Sequence, residues 1–275
     1  ILFSNCTSCG YLSDEQDLLH LLCQLLQVTS GKTRHDGCVS VHETSCIGLC
    51  DHGASLLVNG LPITRLTEEK ITQIAQLVAS ETPLLQWPAE WFEVHNTAHQ
   101  RSLLLTEYFL PGSAMQKALI HGKDETLAEI LRSDLRGRGG AGFGTGKKWQ
   151  LCQQAPGHAH YVVCNADEGE PGTFKDRMLL CDHADALFEG MTLCAFIIGA
   201  EQGFVYLRGE YRYLLTHLHT VLNRRRQQRL LCQHILGQPA FHFDIEIVIG
   251  AGAYICGEES ALVESLEGKP GIPRI

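Results

Sequence analysis

The sequence predicts an α/β protein in which a small α+β unit precedes a larger domain built on a largely parallel sheet. Residues 1–80 contain short strands between two amphipathic helices, whereas from about residue 112 strands and helices alternate regularly, as they do around a parallel sheet. The chain has 275 residues, of which 44% are apolar and 19% charged. This length and composition fit one large or two ordinary globular domains and exclude disordered and collagen-like chains.

In the first unit, residues 1–80, the residue pattern predicts three strands and two helices. One strand ends near Asn5, one covers 39–43, and one covers 55–58 before a tight Asn59-Gly60 turn. The helices cover 14–26 and 67–79, with Thr67 as the N-cap of the second. This arrangement is of the thioredoxin type. Residues 81–111, with three prolines and two tryptophans, are predicted to form a linker that packs on a domain.

The second domain, residues 112–275, is predicted to be a Rossmann-like α/β domain. Its predicted strands cover 161–165, 204–207 and 243–249. Its predicted helices cover 126–132, 147–152, 187–199, 211–222 and 258–266. Three consecutive arginines at 224–226, followed by Arg229, are interpreted as the solvated face of a helix rather than as a phosphate site, because the chain as a whole is acidic.

The overall charge and the apolar runs exclude several classes of protein. A net charge of −9 argues against non-specific nucleic-acid binding, which needs a basic footprint. The sequence has no apolar run of the eighteen or more residues that a membrane-spanning helix needs, so we expect no direct membrane insertion. The twelve cysteines are scattered irregularly, and most are interpreted as reduced packing residues of a cytoplasmic protein. Because the chain starts at Ile1 and all three methionines are internal, we expect both ends to be cut from something longer.

The most informative segment is a glycine-rich loop over residues 136–149 that runs into a predicted helix. Dense glycine lets the backbone adopt positive φ and approach a ligand closely. Main-chain N–H groups followed by a helix N-terminus bind phosphate or pyrophosphate. The alternative is a flexible loop, but Phe143 and Trp149 are unusual residues for a linker, and Lys148 supplies a cation.

Two acidic loops follow predicted strands. The strand at 161–165 runs into Asp167, Glu168 and Glu170, and the strand at 243–249 runs through glycines into Glu258 and Glu259. Ligands of open α/β sheets bind at the carboxyl ends of the strands, where carboxylates can accept hydrogen bonds from ribose hydroxyls or a flavin ring N–H. Each loop taken alone could instead be a helix-capping turn, since acidic residues favour helix N-termini.

These three motifs closely resemble those of a flavoprotein family. Their sequences are RGRGGAGFGTGKKW over 136–149, NADEGEPGTFKDR over 165–177 and GAGAYICGEES over 250–260. They are similar to the NADH-binding flavoprotein subunit of respiratory complex I and of its relatives in NAD-reducing hydrogenase (the diaphorase subunit) and NAD-dependent formate dehydrogenase. The resemblance covers roughly residues 110–275 and implies hydride transfer from NADH to FMN, followed by single-electron transfer to iron–sulfur clusters.

The resemblance also implies which residues bind the cofactors FMN and NAD(H). The glycine loop would lie along both cofactors and Phe143 would stack on NADH, whereas no side chain need act as a catalytic acid or base. Glu170 and Glu259 would help to position NADH. The implied cofactor-binding residues are Gly137, Arg138, Gly139, Gly140, Gly142, Phe143, Thr145, Gly146, Lys148, Asn165, Asp167, Glu168, Glu170, Tyr254, Gly257, Glu258 and Glu259.

The N-terminal unit resembles the thioredoxin-like [2Fe–2S] subunit of the same enzymes. Cys46 and Cys50 match that subunit's second cysteine pair, and Cys9 matches one member of the first pair, whereas the other member falls on Ser4. Four thiolates, Cys6, Cys9, Cys46 and Cys50, are available if Cys6 substitutes. A thioredoxin-like domain without a cluster and a zinc site are the alternatives, although the spacing is unusual for zinc.

Two departures from the family pattern stand out. Gly144 occupies a position that is usually Pro or Ser, so the loop is expected to be more mobile here. The family continues beyond the last residue of this chain into a segment that completes the pocket and a domain carrying a [4Fe–4S] cluster, so we expect weak FMN binding.

The sequence as a whole leads us to expect a diaphorase whose partners are other subunits of a hydrogenase, formate dehydrogenase or complex I-like assembly. The alternative is a non-catalytic scaffold.

Overall fold

The computed structural model describes residues 1–6, 15–95, 109–157, 159–250 and 252–274. The N-terminal part contains a five-stranded mixed sheet in the order β2-β3-β1-β4-β5. The strands are β1 (Leu2–Ser4), β2 (Lys32–Thr33), β3 (Ser40–Thr44), β4 (Leu56–Val58) and β5 (Leu61–Ile63). Two helices accompany this sheet, α1 (Glu15–Leu26) and α2 (Glu68–Ala79).

Hydrophobic periodicity explains how these two helices pack on the sheet. Leu22 and Leu26 of α1 and Ile71 and Ile74 of α2 lie in one core with the apolar side chains of the sheet. The predicted cap of α2 is present, because the Thr67 hydroxyl accepts a hydrogen bond from the backbone N–H of Lys70 at 3.2 Å.

A tight turn joins β4 to β5. Asn59 and Gly60 have φ of 50° and 85°, as the predicted two-residue turn requires. The strands on either side pair antiparallel, with Val58 opposite Leu61. The short-range turn signal therefore sets the register of this hairpin.

Part of the predicted linker packs on this first core. Short 3-10 turns cover Leu84–Gln86 and Ala89–Phe92. Trp87 between them is buried, and its ring N–H donates to the carbonyl of Thr82 at 2.9 Å. The segment is thus held by a buried aromatic side chain whose polar atom is satisfied.

The C-terminal part is organised around three parallel strands in the order β6-β7-β8. These strands are β6 (Tyr161–Ala166), β7 (Gln202–Leu207) and β8 (Asp244–Ile249). The helices are α3 (Ser113–His121), α4 (Lys123–Arg132), α5 (Thr145–Gln154), α6 (Lys175–Asp182), α7 (Ala184–Ile198), α8 (Leu215–Gln227) and α9 (Glu259–Leu266). Helix α7 supplies much of the core, whereas α9 packs on Tyr206 and Val248 through Leu262. The predicted α/β architecture is confirmed.

Two helix predictions need correction. The segment predicted as one helix over 211–222 is a 3-10 helix, Gly209–Leu214, followed by α8. Helices α3 and α6 were not predicted at all, and α6 lacks a marked apolar face. Among the described helices, none is long and apolar enough to cross a membrane.

The arginine run on α8 is not a solvated face. Arg225 is fully buried, and its guanidinium donates to the carboxylate of Glu189 at 2.7 Å and to that of Asp185 at 3.2 Å. Arg224 also pairs with Asp185, and Arg226 pairs with Asp244 at 3.0 Å. The run ties α8 to α7 and to the start of β8, because these carboxylates compensate the buried charge.

Candidate functional site

The glycine-rich loop forms a short hairpin between α4 and α5. The Gly137 N–H donates to the carbonyl of Phe143 at 2.9 Å, and Arg136 bridges Gly144 across the hairpin. Gly140 and Gly142 have φ of 110° and 63°, which is the region that favours glycine. The tip of the hairpin is exposed and the loop runs directly into the N-terminus of α5, which is the arrangement of an anion-binding loop.

The three sequence motifs meet at one crevice. The Nζ of Lys148, from the glycine-rich motif, lies 3.0 Å from a carboxylate oxygen of Glu259. The Asn165 side-chain amide, at the end of β6, donates to the carbonyl of Gly257 at 2.8 Å. These contacts join residues about a hundred positions apart, and they lie where the carboxyl ends of the parallel strands meet.

A cavity of about 530 Å³ opens between β6, α5, α7 and α9 beside these contacts. Lys148, Asn165 and Glu259 lie on its lining, and the rest is mostly apolar, including Trp149 and Met191. A mostly apolar cleft of this size with a few converging polar groups is typical of cofactor sites.

Asp167 is the most unusual side chain of the crevice. It is only 8% exposed, and its Oδ2 atom has no hydrogen-bond partner among the described residues. Burial raises its pKa from 3.8 to about 6, the Arg208 guanidinium opposes this rise, and Glu210 adds to it. A buried carboxylate oxygen without a partner is costly, and it is suited to accept a hydrogen bond from a bound ligand.

Glycines let the third motif approach Asp167 closely. A Cβ on Gly250 would lie 2.9 Å from the ring of Tyr206 and 3.3 Å from Asp167 Oδ1. A Cβ on Gly257 would lie 3.4 Å from the carbonyl of Asp167. Glycine at these two positions therefore lets the 250–257 loop pack directly on Asp167 and Tyr206.

Three of the predicted cofactor-binding residues have structural roles within the chain. The Glu168 carboxylate is buried and accepts hydrogen bonds from the backbone N–H of Asp176 at 2.7 Å and from the Tyr211 hydroxyl at 2.8 Å. Glu258 caps α9 by accepting from the Ala261 N–H at 2.9 Å. A Cβ on Gly146 would lie 2.9 Å from the backbone nitrogen of Leu131, so this glycine allows α4 and α5 to touch.

The remaining predicted residues lie around the crevice or on the loop. Tyr254 lies against Gly169, since a Cβ there would be 3.2 Å from its ring. Thr145 is the first residue of α5. Among these remaining residues, the exposed ones are Gly137, Arg138, Gly139, Gly140, Phe143, Glu170 and Tyr254.

A second site is built from cysteines at the end of the first sheet. β1 and β3 are parallel with Ser4 opposite Thr44, so Cys6 and Cys46 each lie two residues beyond the paired ends. The Sγ atoms of Cys6, Cys46 and Cys50 all lie within 4.8 Å of one another, and all three side chains are buried. Cys9, the fourth predicted ligand, lies outside the described residues.

The chemistry of this donor set fits an iron–sulfur cluster. The Sγ atoms of Cys46 and Cys50 are 3.1 Å apart, and the eleven described cysteines form no disulfide with one another. The hydrogen bond with Cys50 and then burial raise the pKa of Cys46. A cation bound among these thiols removes that penalty, because it favours the thiolate form that ligates metal.

Comparison with known families explains this pairing of a crevice with a cysteine site. Residues 130–275 match the Nuo51 FMN-binding domain. The chain belongs to the Nuo51 FMN-binding family. Residues 1–79 match the thioredoxin-like [2Fe–2S] ferredoxin family. The predicted resemblance to both families, and with it an FMN-binding and a [2Fe–2S] domain, is confirmed.

Curated and solved relatives agree with this assignment. The chain is 42% identical to the NAD-reducing hydrogenase HoxS subunit alpha of Cupriavidus necator, covering 89% of this chain and 43% of that protein. It is 46% identical to an NADH-quinone oxidoreductase subunit of Aquifex aeolicus, covering 62% of this chain and 40% of that protein. A crystal structure of NAD⁺-reducing [NiFe]-hydrogenase in the H₂-reduced state superposes with a TM-score of 0.93 at 39% identity, over 99% of this chain and 46% of that one. The chain spans a little under half the length of these relatives.

The crevice of this Nuo51 family member fits a flavin. The partnerless Asp167 oxygen can accept a hydrogen bond from a ring N–H, and the neighbouring cavity lined by Lys148, Asn165 and Glu259 is otherwise mostly apolar. Gly144 has φ of −63°, a value that proline also adopts, so the backbone at this position follows the family pattern even with glycine.

Sequence reasoning missed two arginines between the crevice and the cysteines. Arg177 and Arg208 are both buried and both contact the loop that holds Cys46 and Cys50. Arg208 directly follows β7, the middle strand, so the strand-end rule that found Asn165 and Asp167 could have found it. Arg177 ends the second motif but gives no local signal of burial.

Proposed function

We propose that this chain is the NADH-oxidising module of a diaphorase, which takes hydride from NADH at the crevice and delivers electrons to the cysteine site. The observation that carries this proposal is the buried, partnerless carboxylate oxygen of Asp167 at the point where the three motifs meet. Bound FMN would supply the conversion of a two-electron hydride donor into a source of single electrons.

The chain's own residues would bind and orient the two cofactors. The backbone N–H groups of the glycine loop and the start of α5 suit phosphate groups, and Lys148 adds a cation at the crevice. The exposed aromatic rings of Phe143 and Tyr254 suit stacking on the nicotinamide nucleotide. Glu170 and Glu259 suit hydrogen bonds from its ribose hydroxyls. Catalysis would then come from proximity and orientation, without a side-chain acid or base.

A hydrogenase-type assembly is the parent complex that we favour. The match to the hydrogenase subunit covers 89% of this chain and includes the N-terminal domain, whereas the match to the NADH-quinone oxidoreductase subunit covers 62%. Fusion of the two domains in one chain supports the first assignment. A complex I or formate dehydrogenase flavoprotein and a non-catalytic scaffold are the alternatives, and partner subunits are expected in each enzymatic case.

The domain limits and the compartment are part of the same proposal. We place the ferredoxin domain at 1–80, the linker at 81–111 and the flavin domain at 112–275. Eleven described cysteines without a disulfide support a reducing compartment such as the cytoplasm.

Flavin binding and bleaching test the proposal directly. The purified chain is mixed with FMN, and NADH is added without oxygen while the visible flavin band is followed. We expect the band to bleach, and we expect Asp167→Asn to bind FMN about tenfold more weakly, because a charged hydrogen-bond acceptor is replaced by a neutral one. Asp124→Asn, an exposed carboxylate on α4, is the matched control. A chain that binds neither FMN nor NADH would support the scaffold alternative.

A further inference from the structure

A buried guanidinium bridges the two candidate sites. The side chain of Arg208 is only 3% exposed, and its Nη2 atom donates to the carbonyl oxygen of Cys46. Its Nη1 atom donates to the carbonyl oxygen of Glu168 at 2.6 Å. One side chain thus holds the backbone of a candidate iron ligand and the backbone of the acidic loop at the crevice.

The position of this guanidinium is itself fixed. The Glu210 carboxylate accepts from Nε of Arg208 at 2.9 Å and from Nη2 at 3.0 Å, which is the two-point geometry that arginine alone among cations provides. The guanidinium also lies 5.7 Å from the centre of the Tyr211 ring. The Tyr211 hydroxyl donates to the Glu168 carboxylate, so this group of residues contacts the acidic loop through Tyr211 as well as through Arg208.

The cysteine loop is shaped to receive these side chains. Gly48 has φ of 74°, and a Cβ there would overlap the Tyr211 hydroxyl. Arg177, fully buried, donates to the Gly48 carbonyl at 3.0 Å and pairs with Asp51 at 2.5 Å. The flavin domain therefore holds the Cys46–Asp51 loop from two sides.

The flavin domain also contacts the thiol itself. The Cys46 sulfur, which accepts from the backbone N–H of Gly48 at 3.3 Å, lies in a buried group of three cysteines. Phe174 packs against the three cysteines. Hydrogen bonds to the sulfurs and the surrounding charge set the potential of iron–sulfur groups, so the environment of Cys46 depends on both domains.

We propose that Arg208 is a positioning residue that ties the Cys46 loop to the Glu168 loop and raises the reduction potential of the cluster held by the thiolates. This inference rests on the proposed function. A cluster gains one negative charge when it accepts an electron, and a nearby cation stabilises that state. Without Arg208, the Cys46 carbonyl loses its donor and the Glu210 carboxylate is left without this cation.

Amide hydrogen exchange of the full chain without cofactors tests the positioning role. We expect Arg208→Met to increase exchange in residues 46–51 by about tenfold, the effect of losing one charge-assisted hydrogen bond. Arg212→Met removes an equal charge from an exposed position four residues away and should leave exchange unchanged. Arg208→Lys keeps a cation but not the two-point geometry, so it should fold even if the Met variant does not, and it should still exchange faster than the parent.

A potentiometric titration of the reconstituted chain tests the effect on the cluster. At a fixed potential, the ratio of reduced to oxidised cluster should fall at least tenfold in Arg208→Met, about 59 mV for a one-electron couple, and less in Arg208→Lys. If residues 46–51 of Arg208→Lys exchange no faster than those of the parent, the positioning role is wrong. If the reduction potential of the cluster in Arg208→Met is no lower than in Arg212→Met, Arg208 does not raise that potential. If the parent chain assembles no cluster, the proposed function fails at that site, whereas the exchange experiment still decides the role of Arg208.

Discussion

Replacement of Asp167 by asparagine should stabilise the chain without cofactors while weakening FMN binding. Asparagine has nearly the same shape as aspartic acid but carries no charge. The Asp167 carboxyl has its pKa raised from 3.8 to about 6, chiefly by burial. A carboxyl whose pKa is raised by folding favours the protonated state in the folded protein, so its ionisation costs stability.

The size of the effect follows from this shift. The folded protein binds the proton more tightly than the unfolded chain, so stability falls as the pH rises from about 4 to about 6, and the full cost is present above that range. A shift of about two pKa units corresponds to at most about 3 kcal/mol, and solvent screening reduces this to about 1–2 kcal/mol. Asp167→Asn should therefore be about 1–2 kcal/mol more stable at about pH 8, with no difference near pH 4.

Urea unfolding of the two chains without FMN, followed by circular dichroism at several pH values, measures this difference. Asp124→Asn, which changes an exposed carboxylate, provides the comparison and should show no such pH-dependent gain. An Asp167→Asn chain that is less stable than the parent at about pH 8 would mean that the carboxylate has a partner in the folded protein. The assignment of Asp167 as a costly ligand-binding group would then be wrong.

Three other substitutions separate functional from structural residues. Cys46→Ser should abolish iron binding, measured by metal content and visible absorption, whereas Cys38→Ser on the exposed surface should retain it; equal iron in both would remove Cys46 from the ligand set. Gly146→Ala should lower thermal stability by about 1–3 kcal/mol because its Cβ would meet the Leu131 backbone at 2.9 Å, whereas Gly157→Ala, with open space around it, should not; equal melting temperatures would refute the packing role. Arg225→Met should cost about 3–5 kcal/mol in denaturant unfolding because it leaves Glu189 buried without its cation, and Arg224→Met, a more exposed neighbour, about 0–1 kcal/mol; similar losses would contradict the buried network.

Local patterns were sufficient to predict most of the fold and the position of the crevice. The Asn59-Gly60 turn, the Thr67 cap and the alternation of strands with helices are short-range signals, and the structure confirms each of them. The strand-end rule placed Asn165 and Asp167 at the crevice, because the carboxyl ends of parallel strands share one edge. The sequence did not show which of these side chains are buried away from the crevice, as Glu168 is.

The parts that sequence reasoning missed depend on residues far apart in the chain. Arg225 lies in a run of arginines that looks solvated, and its burial is tolerable because Glu189 and Asp185, 36 and 40 residues away, pair with it. The contact between Arg208 and Cys46 spans 162 residues. Cys6 was among the predicted ligands through the family resemblance alone, whereas its place beside Cys46 follows from the parallel register of β1 and β3.

The order of electron transfer within the full chain tests the central claim most directly. The chain is loaded with FMN and an iron–sulfur cluster, mixed rapidly with NADH without oxygen, and followed at the flavin and cluster absorption bands. The account predicts that the flavin band bleaches first, that the cluster band then follows, and that Asp167→Asn at limiting FMN reduces both changes. Cluster reduction that proceeds equally well without FMN, or no response of either band to NADH, would contradict it.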